Sequence, residues 1–465
     1  MMAAMTLASC SSSDDGQQAA DSGKAPVLAT KTAIGFDAYT GRAVTRAGVN
    51  GELAIGGLRN STTGGFGVFA YYTDLKKYDQ TYVPNFMYNT WVKDANNNVG
   101  DANWTYTPVM YWPNEYGADA NSDDEDKVSF FAYAPYVATA SAAAGSVTGD
   151  ATWGITGFSR NTTAGDPIVK YIASFNPAQS VDLCWGVVGD TEVNWGKIQG
   201  NTNQTMEAGK PWLDVEHPQA VNQKLKFTFK HALTKLNVQI DADPDIAAHD
   251  VATELAANTK VYVRSISFTG IAMKGALNLN NATANKAQWL DYSGSTDLPY
   301  GEGITVKDQR RDGREGGANA EATNELPGGL NPNIVQSTAW GDAQEKPGVT
   351  HELKNLFAGD ALTTPVYVIP TGEALTVTIV YDVETANADL PGYLSDGTTH
   401  GSSIENRITK TIKFNGAESG LDSGKAYTVK LHLGMNSVKY DATVSGWEDA
   451  ANEGEGWLPD NDPSN

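Results

Sequence analysis

Cysteine is nearly missing from this chain: Cys10 and Cys184 are the only two in 465 residues. They cannot supply a disulfide framework, so a chain of this size must rely on burial and sheet hydrogen bonds. Basic residues are also scarce. Lys and Arg total 33 against 55 Asp and Glu, a net charge of -22, which repels phosphate backbones and argues against nucleic acid as a partner. After Cys10 no stretch approaches the roughly 18 continuous apolar residues of a membrane-crossing helix. The six histidines (217, 231, 249, 351, 400 and 432) show neither HExxH nor Cys/His metal spacing. His231 lies in a strand-turn segment and suits a hydrogen-bonded structural role. No Gly-x-Ser-x-Gly elbow occurs, and Gly64-Gly65-Phe66-Gly67 opens a strand, whereas phosphate cradles open helices. Asp241, Asp243 and Asp245 alternate like the start of a calcium loop, but Pro244 interrupts them and no EF-hand glycine or distal glutamate follows, so a solvated turn is expected. Asp123-Asp124-Glu125-Asp126 reads as a soluble loop, with a weak surface calcium site as the alternative. These absences lead to an expectation of no enzyme, no cofactor and no metal.

What is present begins at the N-terminus. Leu7-Ala8-Ser9-Cys10, with an apolar run before it and Ser11-Ser12-Ser13-Asp14-Asp15 after it, reads as a lipobox. Residues 1–10 would then be a lipoprotein signal peptide, and Cys10 would carry acyl chains on a membrane. Residues 11–29 are Ser, Asp, Gln, Gly and Ala with little to bury, the composition of a tether. Ile34, Phe36 and Ala38 then alternate with Gly35 and Asp37, the period of a strand with one buried face. Residues 40–48 are small and polar apart from Arg42 and Arg46, a segment suited to proteolysis.

The body reads as all-β. Aromatic and β-branched runs at 67–72, 128–136, 225–240, 261–268, 366–369, 375–383, 408–414, 427–433 and 438–444 are separated by Gly/Asn/Asp turns, the pattern of antiparallel sandwiches. Helical periodicity is rare, with 246–257 the best short candidate. Residues 138–149 and 161–166 read as connections, and 301–347 as an exposed insertion. Trp104, Tyr106, Tyr111 and Trp112 suit a core, with stacking on sugars as the alternative use.

Several segments together resemble the fimbrillin family of type V pilins. They are the lipobox, Gly67-Val68-Phe69-Ala70-Tyr71, Tyr111-Trp112-Pro113, the run from Phe130 to Tyr136, the run from Phe227 to Leu236, Gly424 to Val429, and Val444-Ser445-Gly446-Trp447. The resemblance implies two tandem antiparallel β-sandwich domains of transthyretin-like character with few short helices, at 47–215 and 216–447, ahead of an acidic tail at 448–465. It implies an outer-membrane lipoprotein precursor whose segment 11–46 is removed by an arginine-directed protease, between Arg46 and Ala47, with Arg42 as the alternative. Ile34, Phe36 and Ala38 would be the displaced strand. Val438, Tyr440, Ala442 and Val444 would be the strand donated to a neighbour, by β-augmentation, whereas the residues by themselves favour an ordinary terminal strand of its own domain. Partners would be copies of the chain or related pilin subunits in a fimbria that supports adhesion to host or bacterial surfaces. The alternative is a carbohydrate-binding surface lipoprotein that does not polymerise.

Overall fold

A computed structural model describes residues 32–39, 55–113, 126–138, 147–148, 153–194, 205–217, 223–242, 259–291, 304–307, 330–331, 334, 349, 352–357, 365–385, 402–434 and 438–446. Among them strands dominate, and no helix reaches seven residues. The first strands in the chain are β1 (Gly35–Tyr39), β2 (Phe66–Asp74), β3 (Met87–Asp94), β4 (Trp104–Thr105), β5 (Lys127–Ala134), β6 (Val147–Thr148), β7 (Gly154–Phe158) and β8 (Ile168–Ile172). There follow β9 (Cys184–Val188), β10 (Trp212–Glu216), β11 (Lys224–His231), β12 (Thr234–Ala242), β13 (Thr259–Thr269), β14 (Ile271–Ala272), β15 (Lys274–Asn278) and β16 (Gln288–Leu290). The last are β17 (Ile304–Lys307), β18 (Lys354–Asn355), β19 (Val366–Pro370), β20 (Thr376–Thr385), β21 (Ser402–Thr411), β22 (Lys425–Leu433) and β23 (Val438–Gly446).

Four sheets result. The first has eight strands in the order β1-β11-β9-β5-β2-β3-β4, with β10 on β5. Its two faces are both buried. Phe69, Phe131, Tyr133 and Trp185 point to the five-stranded sheet β16-β15-β8-β7-β6, while Phe66, Phe130, Phe227 and Phe229 point into a separate core. Gly186 makes that second core possible: a Cβ there would meet Phe227 Cδ1 at 2.8 Å and Ala132 Cβ at 2.9 Å. The remaining strands form a six-stranded sheet, β14-β19-β12-β22-β23 with β18 on β12, and a four-stranded sheet, β17-β13-β20-β21.

The expected all-β class holds. Two pairings depart from an antiparallel scheme, β1 with β11 and β12 with β22, both parallel. The expected boundary at 215/216 falls within β10, which shares a sheet with β11, and β15 joins β8 across it. The segment 301–347, expected as an exposed insertion, contributes β17 to a sheet and buries Ile304, Leu330 and Ile334. Its polar composition hides these isolated apolar anchors. The connection expected at 138–149 contains β6, paired with β7. Residues 246–257, the helix candidate, lie outside the described residues.

Candidate functional site

The eight-stranded sheet curls until its ends approach, and β1 is the piece that closes it. On one side β1 runs parallel to β11, from Gly35 opposite Lys224 to Tyr39 opposite Thr228. On the other side the main chain just before it pairs with the segment after β4: Ile34 N donates to Met110 O at 2.9 Å and Trp112 N donates to Thr32 O at 3.0 Å. Tyr106 Oη donates to Ile34 O at 2.8 Å, and Trp104 Nε1 donates to Asp37 Oδ1 at 3.1 Å. Burial pushes the Tyr106 phenol up to about 12, so it stays a donor under all ordinary conditions.

The alternation read in the sequence decides what β1 buries. Ile34 and Phe36 are 2% and 1% exposed, and Ala38 is half-buried. The Phe36 ring lies 5.3 Å from Tyr106, 6.0 Å from Phe130 and 6.4 Å from Phe66, all edge-on, and stacks on Phe227 at 6.1 Å. At about 1.5–3 kcal/mol for each large side chain, Ile34 and Phe36 contribute roughly 3–6 kcal/mol of burial. Taking β1 away would open that aromatic floor to water and leave β11 paired on one side only, with β9.

At the other end of the chain, β23 pairs antiparallel with β22, from Leu433 opposite Val438 to Lys425 opposite Gly446, and forms the outer edge of the six-stranded sheet. Val438, Tyr440, Ala442 and Val444 share one face, as their spacing predicts. Val438 is 3% exposed, and the other three are half-buried against the chain's own core. Tyr440 Oη donates to Thr411 O and accepts from Lys413 N, both at 3.2 Å. In the monomer β23 is thus a strand of its own sheet, held less deeply than β1.

The other expected positions divide. Cys10, Arg42, Arg46 and Ala47 lie outside the described residues. Of the aromatic quartet, Trp104, Tyr106 and Trp112 are core at 7%, 9% and 3% exposure, while Tyr111 is 45% exposed. Asp241, expected in a solvated turn, is instead buried and 2.6 Å from His432 Nδ1, because the strand β12 extends through it beside β22. Asp243 and Asp245 lie outside the described residues, and Asp126 is buried. His231 Nδ1 lies 2.8 Å from Asp182 Oδ2, the hydrogen-bonded setting expected of it.

A curated relative, fimbrium subunit Fim1C of Phocaeicola vulgatus, is 24% identical over 467 residues, covering 97% of this chain and 95% of that protein. The chain is fimbrillin-like. A solved fimbrial protein of Bacteroides vulgatus is similar to the fimbrillin-like chain at 20% identity and a TM-score of 0.46, covering 90% of this chain and 99% of that one. No family model matches it. What sequence reading missed in this fimbrillin-like chain is the segment 110–112 as the second wall around β1. Its signal was faint, since the segment forms no strand and meets the chain before β1 through an isolated bridge, Ala33 with Tyr111.

Proposed function

We propose that the chain is a structural subunit of a cell-surface fimbria, made as a lipoprotein acylated at Cys10, cut after Arg46, and polymerised when the β23 of one subunit takes the place of β1 in the next. The observation that carries this reading is β1 itself. It closes the second core yet joins the rest at the N-terminal end of the chain, and its loss would leave an apolar cleft with unpaired backbone on both walls, a defect that an incoming strand repairs.

The sequence of β23 supports the same reading. Ile34-Gly35-Phe36-Asp37-Ala38 and Val438-Lys439-Tyr440-Asp441-Ala442 share one pattern: branched aliphatic, aromatic, aspartate, alanine at matching positions. Aligned so, Tyr440 would enter the Phe36 pocket, Asp441 would accept from Trp104 Nε1, and the donor would run parallel to β11. The adhesin reading drew on an aromatic platform, and three of the four rings it needed are core. The deciding test is electron microscopy of surface filaments labelled against this chain, combined with N-terminal sequencing of sheared material. Filaments beginning at Ala47 support the proposal, and an unprocessed monomeric surface protein overturns it.

A further inference from the structure

At the junction of β9 and β11 three side chains of different chemistry converge on one point. Cys184 and His231 are direct cross-strand partners, and Asp182 stands two residues before Cys184. Asp182 Oδ2 and Cys184 Sγ approach the same ring nitrogen, His231 Nδ1, at 2.8 Å and 3.5 Å, and lie 3.7 Å from each other. Their exposures are 0%, 2% and 9% for Asp182, Cys184 and His231.

The shared nitrogen is informative. A nucleophile-base-carboxylate relay needs the thiol on one imidazole nitrogen and the carboxylate on the other. Here both meet Nδ1, so a cysteine-type triad is not built. His432 offers the contrast within the same fold: its Nδ1 faces Asp241 at 2.6 Å and its Nε2 faces Asp441 at 3.5 Å, two separate contacts with no common centre.

Convergent donors are the geometry of a metal ligand set. With metal–sulfur bonds of about 2.3 Å and metal–nitrogen or metal–oxygen bonds of about 2.0–2.2 Å, a tetrahedral ion places its ligand atoms roughly 3.3–3.7 Å apart. The two edges to sulfur already have those lengths, and only the Asp182–His231 edge would open, by about half an ångström. Charge balance fits as well. A divalent ion, a thiolate, a carboxylate and a neutral imidazole sum to zero, which removes the cost of isolated charge in a buried position. The mixed sulfur, nitrogen and oxygen set favours zinc-class ions over calcium or magnesium.

We propose that Asp182, Cys184 and His231 form a three-ligand site for a zinc-class divalent transition-metal ion. The site is independent of the assembly reading. His231 ends β11, Ala232 N donates to Leu183 O at 2.8 Å, and Thr234 begins β12 in the next sheet. A bound ion would therefore pin the place where the chain passes from the eight-stranded to the six-stranded sheet.

The test uses the untagged chain carrying Cys10→Ser, so that Cys184 is the sole thiol. Cobalt(II) is added to the folded protein and, separately, is present during refolding. Expected in at least one arm are one bound ion per chain, a thiolate-to-cobalt charge-transfer band in the near ultraviolet, and a raised melting temperature with zinc. Cys184→Ser and His231→Gln should lose the band, while His432→Gln keeps it. No band in either arm, or a band that survives Cys184→Ser, overturns the proposal. If the ligand variants fail to fold by circular dichroism, the parent spectrum decides by itself.

Discussion

Asp94 shows how a single buried residue organises a turn. Its carboxylate is wholly buried at the end of β3 and accepts from Arg59 Nε at 2.7 Å and from the main-chain amides of Asn103, Asn96 and Asn98 at 2.8, 3.0 and 3.2 Å. Burial by itself would raise this carboxyl, but the Asn103 amide, the Arg59 guanidinium and the other two amides together hold it below the ordinary value. A carboxyl depressed in the folded state adds stability above the unfolded value, and that stability is lost as pH falls through the folded one. Asp94→Asn should therefore cost about 1–3 kcal/mol at neutral pH, and its deficit against the parent should shrink as denaturation is repeated below about pH 4. Arg59→Met should cost less, because three amides still pair the carboxylate. None of this was legible beforehand. An Asn/Asp-rich stretch reads as a turn, and nothing in its spacing names Arg59 as the partner. Asp182, Cys184 and His231 were illegible for the same reason, since His231 is 47 residues from Cys184 and only sheet pairing joins them.

Among elements, one-face alternation was the readable signal. β1, β11, β22 and β23 show it in sequence and bury the predicted face. It failed for β7 and β9, which are short, contain glycine and are buried on both faces, so no period of two remains. The same logic separates two substitutions that look alike on paper. Phe36→Asp places a charge among four aromatic rings and should unfold the second core, at a cost of several kcal/mol, seen as lost cooperativity in thermal melting of the precursor. Tyr440→Asp alters a half-buried edge strand, so the precursor should stay folded, with about 1–2 kcal/mol lost, while filaments fail to form. Register can be tested in finished filaments. If Asp441 takes the seat of Asp37, Trp104→Phe and Asp441→Asn should lower the temperature of filament dissociation non-additively, and strictly additive losses would place the donor in another register.

On the scale of the molecule, the class was legible and the lacing was not. Strand-and-turn spacing announces an all-β chain, whereas the joining of β15 to β8, the parallel entry of β1 and the buried anchors of 301–347 depend on partners distant in sequence. Processing belongs to this scale too. Labelled fatty acid should enter the parent chain and not Cys10→Ser; equal labelling of both would end the lipoprotein reading. N-terminal sequencing of mature material should start at Ala47, and a start at Ala43 would move the cut to Arg42. The pairing of Gly35 with Lys224 adds a matter of timing. At roughly 5–20 residues per second, about 10–40 s separate the synthesis of the first strand from that of its partner, and the strand has no seat until then. Once the seat forms, a strand on the same chain competes at an effective concentration on the order of millimolar. A neighbour's strand, arriving from solution, is outnumbered by that tether. The proposed cut would then act as the clock of assembly, because only severing the native strand lets a slower visitor win.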